Sequence, residues 1–295
     1  MSPSTYISLS TVRLLCGSGG DFTSVGTGFF YITDFGAPEG VAQIPLVITN
    51  KHVVKGFVDA KLFLTTCNPG EQPDETGATQ NDQHREALIS GIDQRLMLHP
   101  DPNVDLCAFP IQDICDAVVS DGRELRLAYL NDSYLVPGDE RPHIRVIESV
   151  AMIGYPNGLW DQSNNRPLVR RGSTASHPFV RWNGRREFVI DAACFPGSSG
   201  SPVFLFEDVM FRQRGGAYTP GSKAHLLGVL ASGPWIDREG RIVRRDVPAA
   251  TTLVPIVPAM MNLGNVVHAD AIRDLLPIIG SAVQAGLSFP RAALL

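Results

Sequence analysis

Apolar residues in this chain gather into short runs separated by glycine, proline and asparagine breaks. The runs at 28–33, 46–49, 60–65, 144–153, 187–192, 202–206 and 226–231 each have strand length and are rich in β-branched or aromatic residues. With 28 glycines and 22 prolines there is enough punctuation for many short strands and turns, as an all-β chain requires. No fixed-period repeat is present. Two stretches are polar, 68–86 and 212–223, and read as surface loops, since connections of this length are usually functional or mobile. The tail breaks the pattern. Over 269–285, Ile272, Leu275, Leu276 and Ile279 recur at helical spacing, with Pro277 interrupting them.

Composition places the chain among ordinary globular proteins, with 44% hydrophobic and 19% charged residues, and excludes a disordered chain. At 295 residues it has room for one large or two small domains. No apolar run reaches the roughly 18 residues of a membrane span. The start of the chain lacks a basic segment leading into an apolar stretch, so no secretory signal or membrane partner is expected. The cysteines, Cys16, Cys67, Cys107, Cys115 and Cys194, are odd in number and unpatterned in spacing. They suit a reducing, cytoplasmic location, and none has zinc-site spacing, so neither metal nor cofactor is expected. The net charge of −5 hides an asymmetry: residues 1–140 hold 8 basic and 19 acidic side chains, and residues 141–245 hold 15 basic and 8 acidic. The pairs Arg170-Arg171, Arg185-Arg186 and Arg244-Arg245 make the second half basic. Either that face steers an acidic partner, or the opposite signs pair across a two-lobed body. No nucleic-acid motif accompanies the charge, so no nucleic-acid partner is expected.

Three segments carry candidate chemistry. The run Phe195-Pro196-Gly197-Ser198-Ser199-Gly200-Ser201-Pro202 sets serines on a turn ahead of an apolar strand. Such a turn exposes a hydroxyl and converges backbone N–H groups on one point, as acyl transfer needs; it is also an ordinary composition for a turn. His52 follows the apolar run 46–49 across Thr49-Asn50-Lys51. Asp105 leads the apolar run Leu106-Cys107-Ala108-Phe109, so its carboxylate is expected to be partly buried and to need a partner, for which an imidazole N–H serves. Alone, His52 reads equally as a strand-end histidine and Asp105 as a turn cap. Their conjunction in the order His, Asp, Ser is what matters.

That order and those flanks resemble the trypsin-like, chymotrypsin-fold serine peptidases. Thr49-Asn50-Lys51-His52-Val53-Val54 is similar to the histidine motif of bacterial high-temperature-requirement proteases. Asp105-Leu106-Cys107-Ala108 resembles the aspartate motif, with Cys107 as a departure, and Gly197-Ser198-Ser199-Gly200-Ser201-Pro202 resembles the nucleophile motif. Gly26-Thr27-Gly28-Phe29-Phe30, Ile153-Gly154-Tyr155-Pro156 and Asp191-Ala192-Ala193 support the likeness, which covers roughly residues 5–270. It implies two antiparallel six-stranded β-barrels and a C-terminal helix. The implied domains are a first barrel over 1–130 carrying His52 and Asp105, a second over 131–260 carrying Ser199, and a helical tail over 261–295. The implied roles are nucleophile for Ser199, general base for His52 and its orienter for Asp105, with the Gly197 and Ser199 N–H groups as oxyanion hole.

By the same resemblance the specificity pocket has its floor near Ala193 and Cys194 and its wall along Leu230, Ala231, Ser232 and Gly233. The trypsin-type aspartate is replaced by Ala193, and the histidine by which glutamyl endopeptidases read acidic residues by Leu230, so an apolar side chain before the scissile bond is expected. Cys194 as a thiol nucleophile is the weaker alternative to a small wall residue. Ser198 stands where zymogens of the family carry an aspartate that pairs with a new N-terminus. Activation by N-terminal cleavage is therefore not expected, and control falls to loop ordering or a regulatory protein partner. The resulting expectation is a serine endopeptidase acting on a protein or peptide substrate, bacterial in type. The alternatives are a catalytically silent protease-like binding module and an esterase using the same groups.

Overall fold

The computed structural model describes residues 1–33, 43–212, 217–233, 235–239, 256–284 and 292–295. Arg244-Arg245 and residues 213–216 of the second polar stretch lie outside them.

Alternation of apolar and polar residues builds the first sheet. β1 (Thr11–Ser18), β2 (Asp21–Thr33), β3 (Ile44–Thr49), β4 (Asp59–Cys67), β5 (Gln83–Ser90), β6 (Met97–Leu98) and β7 (Cys107–Pro110) pair antiparallel in the order β5-β4-β1-β2-β3-β7-β6, and β8 (Glu124–Leu125) pairs with β4. Ala87 and Ile89 near one end of this sheet share a single apolar cluster with Cys107 and Phe109 near the other. The sheet therefore curls around its own core.

The second sheet closes completely. β9 (Ser149–Gly154), β10 (Leu168–Thr174), β11 (Glu187–Asp191) and β12 (Pro202–Glu207) come first. The hairpin β13 (Met210–Arg212) and β14 (Tyr218–Pro220) leads to β15 (Lys223–Ser232), and the hairpin β16 (Trp235–Glu239) and β17 (Ile256–Met260) leads to β18 (Leu263–His268). The barrel runs β10-β11-β18-β15-β12-β9 around a core that includes Met152, Phe188, Ile190, Val203, Leu227 and Val266. A strand β19 (Ala293–Leu294) returns to the first sheet and pairs with β5, held by the Ala292 N–H donating to Asp113 at 2.7 Å. With it the first lobe is a curled sheet of nine strands rather than a ring of six.

A third apolar layer joins the lobes. Phe29, Tyr31, Leu46 and Ile48 from the first meet Ile153, Phe204, Val229 and Val267 from the second, and Ile272, Leu275 and Ile279 from the tail pack into the same cluster. Each large side chain so buried stabilises the assembly by about 1.5–3 kcal/mol.

Three local expectations change. The strand expected over 144–153 begins only at Ser149. The Arg145 N–H donates to the Glu148 carboxylate at 2.7 Å and the Glu148 N–H to Thr174 Oγ1 at 2.8 Å, so side chains take the groups a ladder would need. Pro277 does not interrupt the tail helix but starts it: a 3₁₀ turn Ala269–Asp274 precedes the helix Leu276–Gln284, and proline is tolerated in a first turn. The polar stretch from Asn68 is tied down by two arginines. Arg123 donates to Asn68 at 2.7 Å and to the Asn81 carbonyl at 2.6 Å, and Arg126 pairs with Asp82 at 2.7 Å.

Lys223 and His225 both pair with Glu140 and so join residues 1–140 to 141–245. Arg185 pairs locally with Glu187, and Arg186 with Asp270 and Asp274.

Candidate active site

β3 delivers the chain into a single helical turn, Lys51–Val54, preceded by Asn50 in extended conformation. Val53 anchors that turn on β2. A Cβ at Gly26 would lie 2.4 Å from Val53 Cγ1, so the turn seats only because residue 26 has none. His52 then projects toward Asp105, which lies just ahead of β7. Its Nδ1 is 2.5 Å from Asp105 Oδ2, and its backbone N–H donates to Asp105 Oδ1 at 3.2 Å. Asn50 Nδ2 donates to the Asp105 carbonyl at 2.7 Å and fixes the aspartate's backbone. The His52 side chain is 49% exposed and the carboxylate 26%, so the imidazole stands at the surface with its orienter half-sheltered.

The nucleophile turn is shaped by two glycines. Gly197 (φ 84) and Gly200 (φ 88) both occupy the left-handed region, and a Cβ at Gly200 would lie 1.9 Å from the Thr27 carbonyl oxygen. The Ser198, Gly200 and Ser201 N–H groups donate to the carbonyls of Phe195, Leu230 and Ser198. Those of Gly197 and Ser199 donate to no group among the described residues. Ser198 and Ser201 are fully buried, which leaves Ser199 as the accessible hydroxyl of the three. Its Oγ donates to the Ala231 carbonyl at 3.3 Å, and among the described residues it makes no hydrogen bond to His52. The structure thus joins His52 to Asp105 and leaves Ser199 turned toward β15.

The expected pocket residues divide. Cys194 and Leu230 are 2% and 3% exposed and belong to the barrel core, where the bare Gly264 leaves room for both side chains. Ala231 is buried also. Ala193, Ser232 and Gly233 remain accessible. A residue the sequence reading missed, Asn265, pairs with Ser232 across β18 and β15 and donates its amide to Ser232 Oγ at 3.1 Å. Nothing local distinguishes it in the apolar run around it.

Burial pushes the Cys194 thiol up to about 12 and leaves no thiolate near neutrality. We expect iodoacetamide to leave hydrolysis unchanged at neutral pH; inactivation tracking Cys194 alkylation by mass spectrometry is the contrary result. Among the described residues no group of three or more His, Cys, Asp or Glu is placed to hold a metal.

Three comparisons bear on this arrangement. A family model described as a trypsin-like peptidase domain matches residues 26–209. No curated protein sequence matches. Among solved structures, the chain is similar to the serine endoprotease from Yersinia pestis at 16% identity and a TM-score of 0.47, over 97% of this chain and 68% of that one. It is also similar to the active form of the Rv3671c protease from M. tuberculosis at 15% identity and a TM-score of 0.43, over 96% of this chain and 84% of that one. An HtrA-type protease with a decapeptide is similar at 14% identity and a TM-score of 0.43, over 97% of this chain and 68% of that one.

Proposed function

We infer the chemistry from one premise: the chain belongs to the trypsin-like peptidase family and is a serine protease. It hydrolyses peptide bonds through Ser199, His52 and Asp105 by way of an acyl-enzyme. Ser199 Oγ leaves the Ala231 carbonyl by rotation about χ1 and attacks the scissile carbonyl as His52 Nε2 takes its proton. The Asp105 carboxylate holds Nδ1 protonated and stabilises the imidazolium. The protonated His52 then gives its proton to the leaving amine. The Gly197 and Ser199 N–H groups receive the oxyanion, and losing one such donor costs about 2.7–4 kcal/mol of transition-state stabilisation. One observation supports this reading most. The accessible hydroxyl sits on a turn with two unspent N–H donors, in a chain whose His52 is already paired with Asp105.

The substrate is a protein or peptide met in the cytoplasm, and a partner that orders loops is the mode of control. Five free cysteines support a reducing location. No helix among the described residues is long and apolar enough to cross a membrane. The Ser199–Ala231 hydrogen bond favours a second reading, a silent binding module with its hydroxyl parked. A fluorophosphonate probe separates the two: labelling of the wild type and not of Ser199→Ala supports the protease, and labelling of neither supports the module. Comparing matched ester and amide substrates then tests the esterase alternative.

The accessible pocket residues Ala193, Ser232 and Gly233 carry no charge. An Arg, Lys, Asp or Glu before the scissile bond would be desolvated without a partner, at a cost of several kcal/mol. Small or medium uncharged residues are therefore expected to be preferred by about a hundredfold or more, at about 1.4 kcal/mol per tenfold. A peptide library dominated by basic residues would overturn the pocket assignment and direct attention to Asp191, which is exposed beside it.

A further inference from the structure

Thr27 lies in β2, in the first lobe, and is completely buried. Its N–H and hydroxyl reach across to the second lobe, and its carbonyl holds a neighbouring strand of its own lobe. Its N–H donates to the Ser199 carbonyl at 2.8 Å. Its carbonyl accepts from Thr49 Oγ1, three residues before His52, at 2.7 Å. Its Oγ1 donates to the Gly197 carbonyl at 3.0 Å and accepts from the Tyr155 N–H at 3.1 Å.

The hydroxyl bonds matter because of what Gly197 does. A peptide group is planar, so fixing a carbonyl fixes the N–H on its other side. The Asn157 N–H holds the Pro196 carbonyl at 2.5 Å and so sets the direction of the Gly197 N–H. Thr27 Oγ1 holds the carbonyl of the next peptide, between Gly197 and Ser198, whose N–H is tied only within the turn, to Phe195. Gly197 lies in the left-handed region, with room on its inner side only for backbone: a Cβ there would lie 2.7 Å from the Tyr155 carbonyl oxygen. A glycine constrained on one side alone can rotate about its own φ and ψ; one clamped on both sides cannot. Thr27 Oγ1 also joins the two clamps, because it accepts from Tyr155 at the start of the turn that carries Asn157.

We propose that Thr27 is the positioning residue of the oxyanion turn: its hydroxyl, reaching from the first lobe, holds the Gly197–Ser198 peptide so that the Gly197 N–H stays aimed at the developing oxyanion. This rests on the serine-protease reading above. Thr27 touches no reacting atom; it acts through Gly197 on the transition state and leaves ground-state peptide binding alone.

Thr27→Val keeps the shape and removes the hydroxyl, and Thr27→Ser keeps the hydroxyl and removes the methyl. In Thr27→Val, kcat is expected to fall about tenfold to a hundredfold, below the 10²–10³-fold loss of an oxyanion donor itself. KM should stay within about twofold, the signature of an interaction made only in the transition state. A peptide boronic acid, whose adduct with Ser199 is tetrahedral and anionic, should lose affinity by a similar factor, whereas a peptide product should not. Thr27→Ser should restore kcat. Purely structural damage would move KM, product affinity and melting temperature together and would not follow the hydroxyl. If Thr27→Val does not fold by circular dichroism, Thr27→Ser against Thr27→Ala asks the same question with the methyl absent from both. Equal kcat across either pair, in a protein whose activity Ser199→Ala abolishes, overturns the role of Thr27 and leaves the protease reading intact. Activity that survives Ser199→Ala overturns the reading itself.

Discussion

Ser199→Ala is expected to lower kcat by about 10⁶-fold, as loss of the nucleophile does in enzymes whose triad acts as a unit. The residual rate comes from oxyanion stabilisation and binding alone. The fold should be untouched. The hydroxyl is accessible, and its bond to the Ala231 carbonyl is a long contact of 3.3 Å, so its removal costs little. The neighbouring serines supply the control. Ser198 Oγ is buried without a partner, and Ser198→Ala removes a hydroxyl that touches no substrate, so its activity should remain near that of the wild type. Hydrolysis of a casein or peptide substrate and thermal melting of each variant decide the matter. Loss of activity in Ser198→Ala with retention in Ser199→Ala would mean that the wrong serine has been assigned.

The second large effect concerns the pair that the structure joins. The Asp105 carboxylate accepts from both the His52 backbone N–H and the imidazole. Asparagine at 105 has one donor and one acceptor where the aspartate has two acceptors. Whichever way the amide faces, either the backbone N–H loses its acceptor or Nδ1 meets a donor. The second outcome puts the imidazole proton on Nε2, the nitrogen that must be free to take the proton of Ser199. A loss in kcat of about 10⁴-fold is expected for Asp105→Asn, and at least as much for His52→Ala. Either change added to Ser199→Ala should cost almost nothing more, because groups acting as a unit are grossly non-additive. Single-turnover rates of the single and double variants measure this. Additive losses would mean that His52 and Asp105 act elsewhere than on Ser199.

The strands, the His52 turn and the Ser199 turn are legible in the sequence because each is a local matter. An apolar run of strand length, an asparagine before a helical turn, and glycines flanking a serine act over a few residues. Contacts between remote segments are not legible. Thr27 and Gly197 are 170 positions apart, and nothing near Thr27 announces that its hydroxyl is committed to a distant carbonyl. Cys194 and Leu230 show the same limit. A resemblance assigns them to a pocket, and it is the absence of a side chain at Gly264, on another strand, that lets both pack inward. The strand expected at 144–148 fails because Glu148 and Thr174 capture its backbone groups, a competition that hydrophobic pattern does not register.

The apolar layer between the lobes has a consequence for how the enzyme comes into being. Its members range from Ile7 to Ile279, so the layer cannot consolidate until the segments between those residues have all emerged. Most strands of the lobe carrying His52 emerge earlier on the ribosome, but its strand β19 comes after the whole second barrel, and the Ser199 turn is held by Thr27 against a barrel whose last strand is β18. Contacts so distant along the chain form late in folding, because loop closure must be paid for first. Chain order thereby acts as a timer: a half-made molecule has no assembled cutting edge, and the hazard of a protease active during its own synthesis is deferred to the last stage of folding.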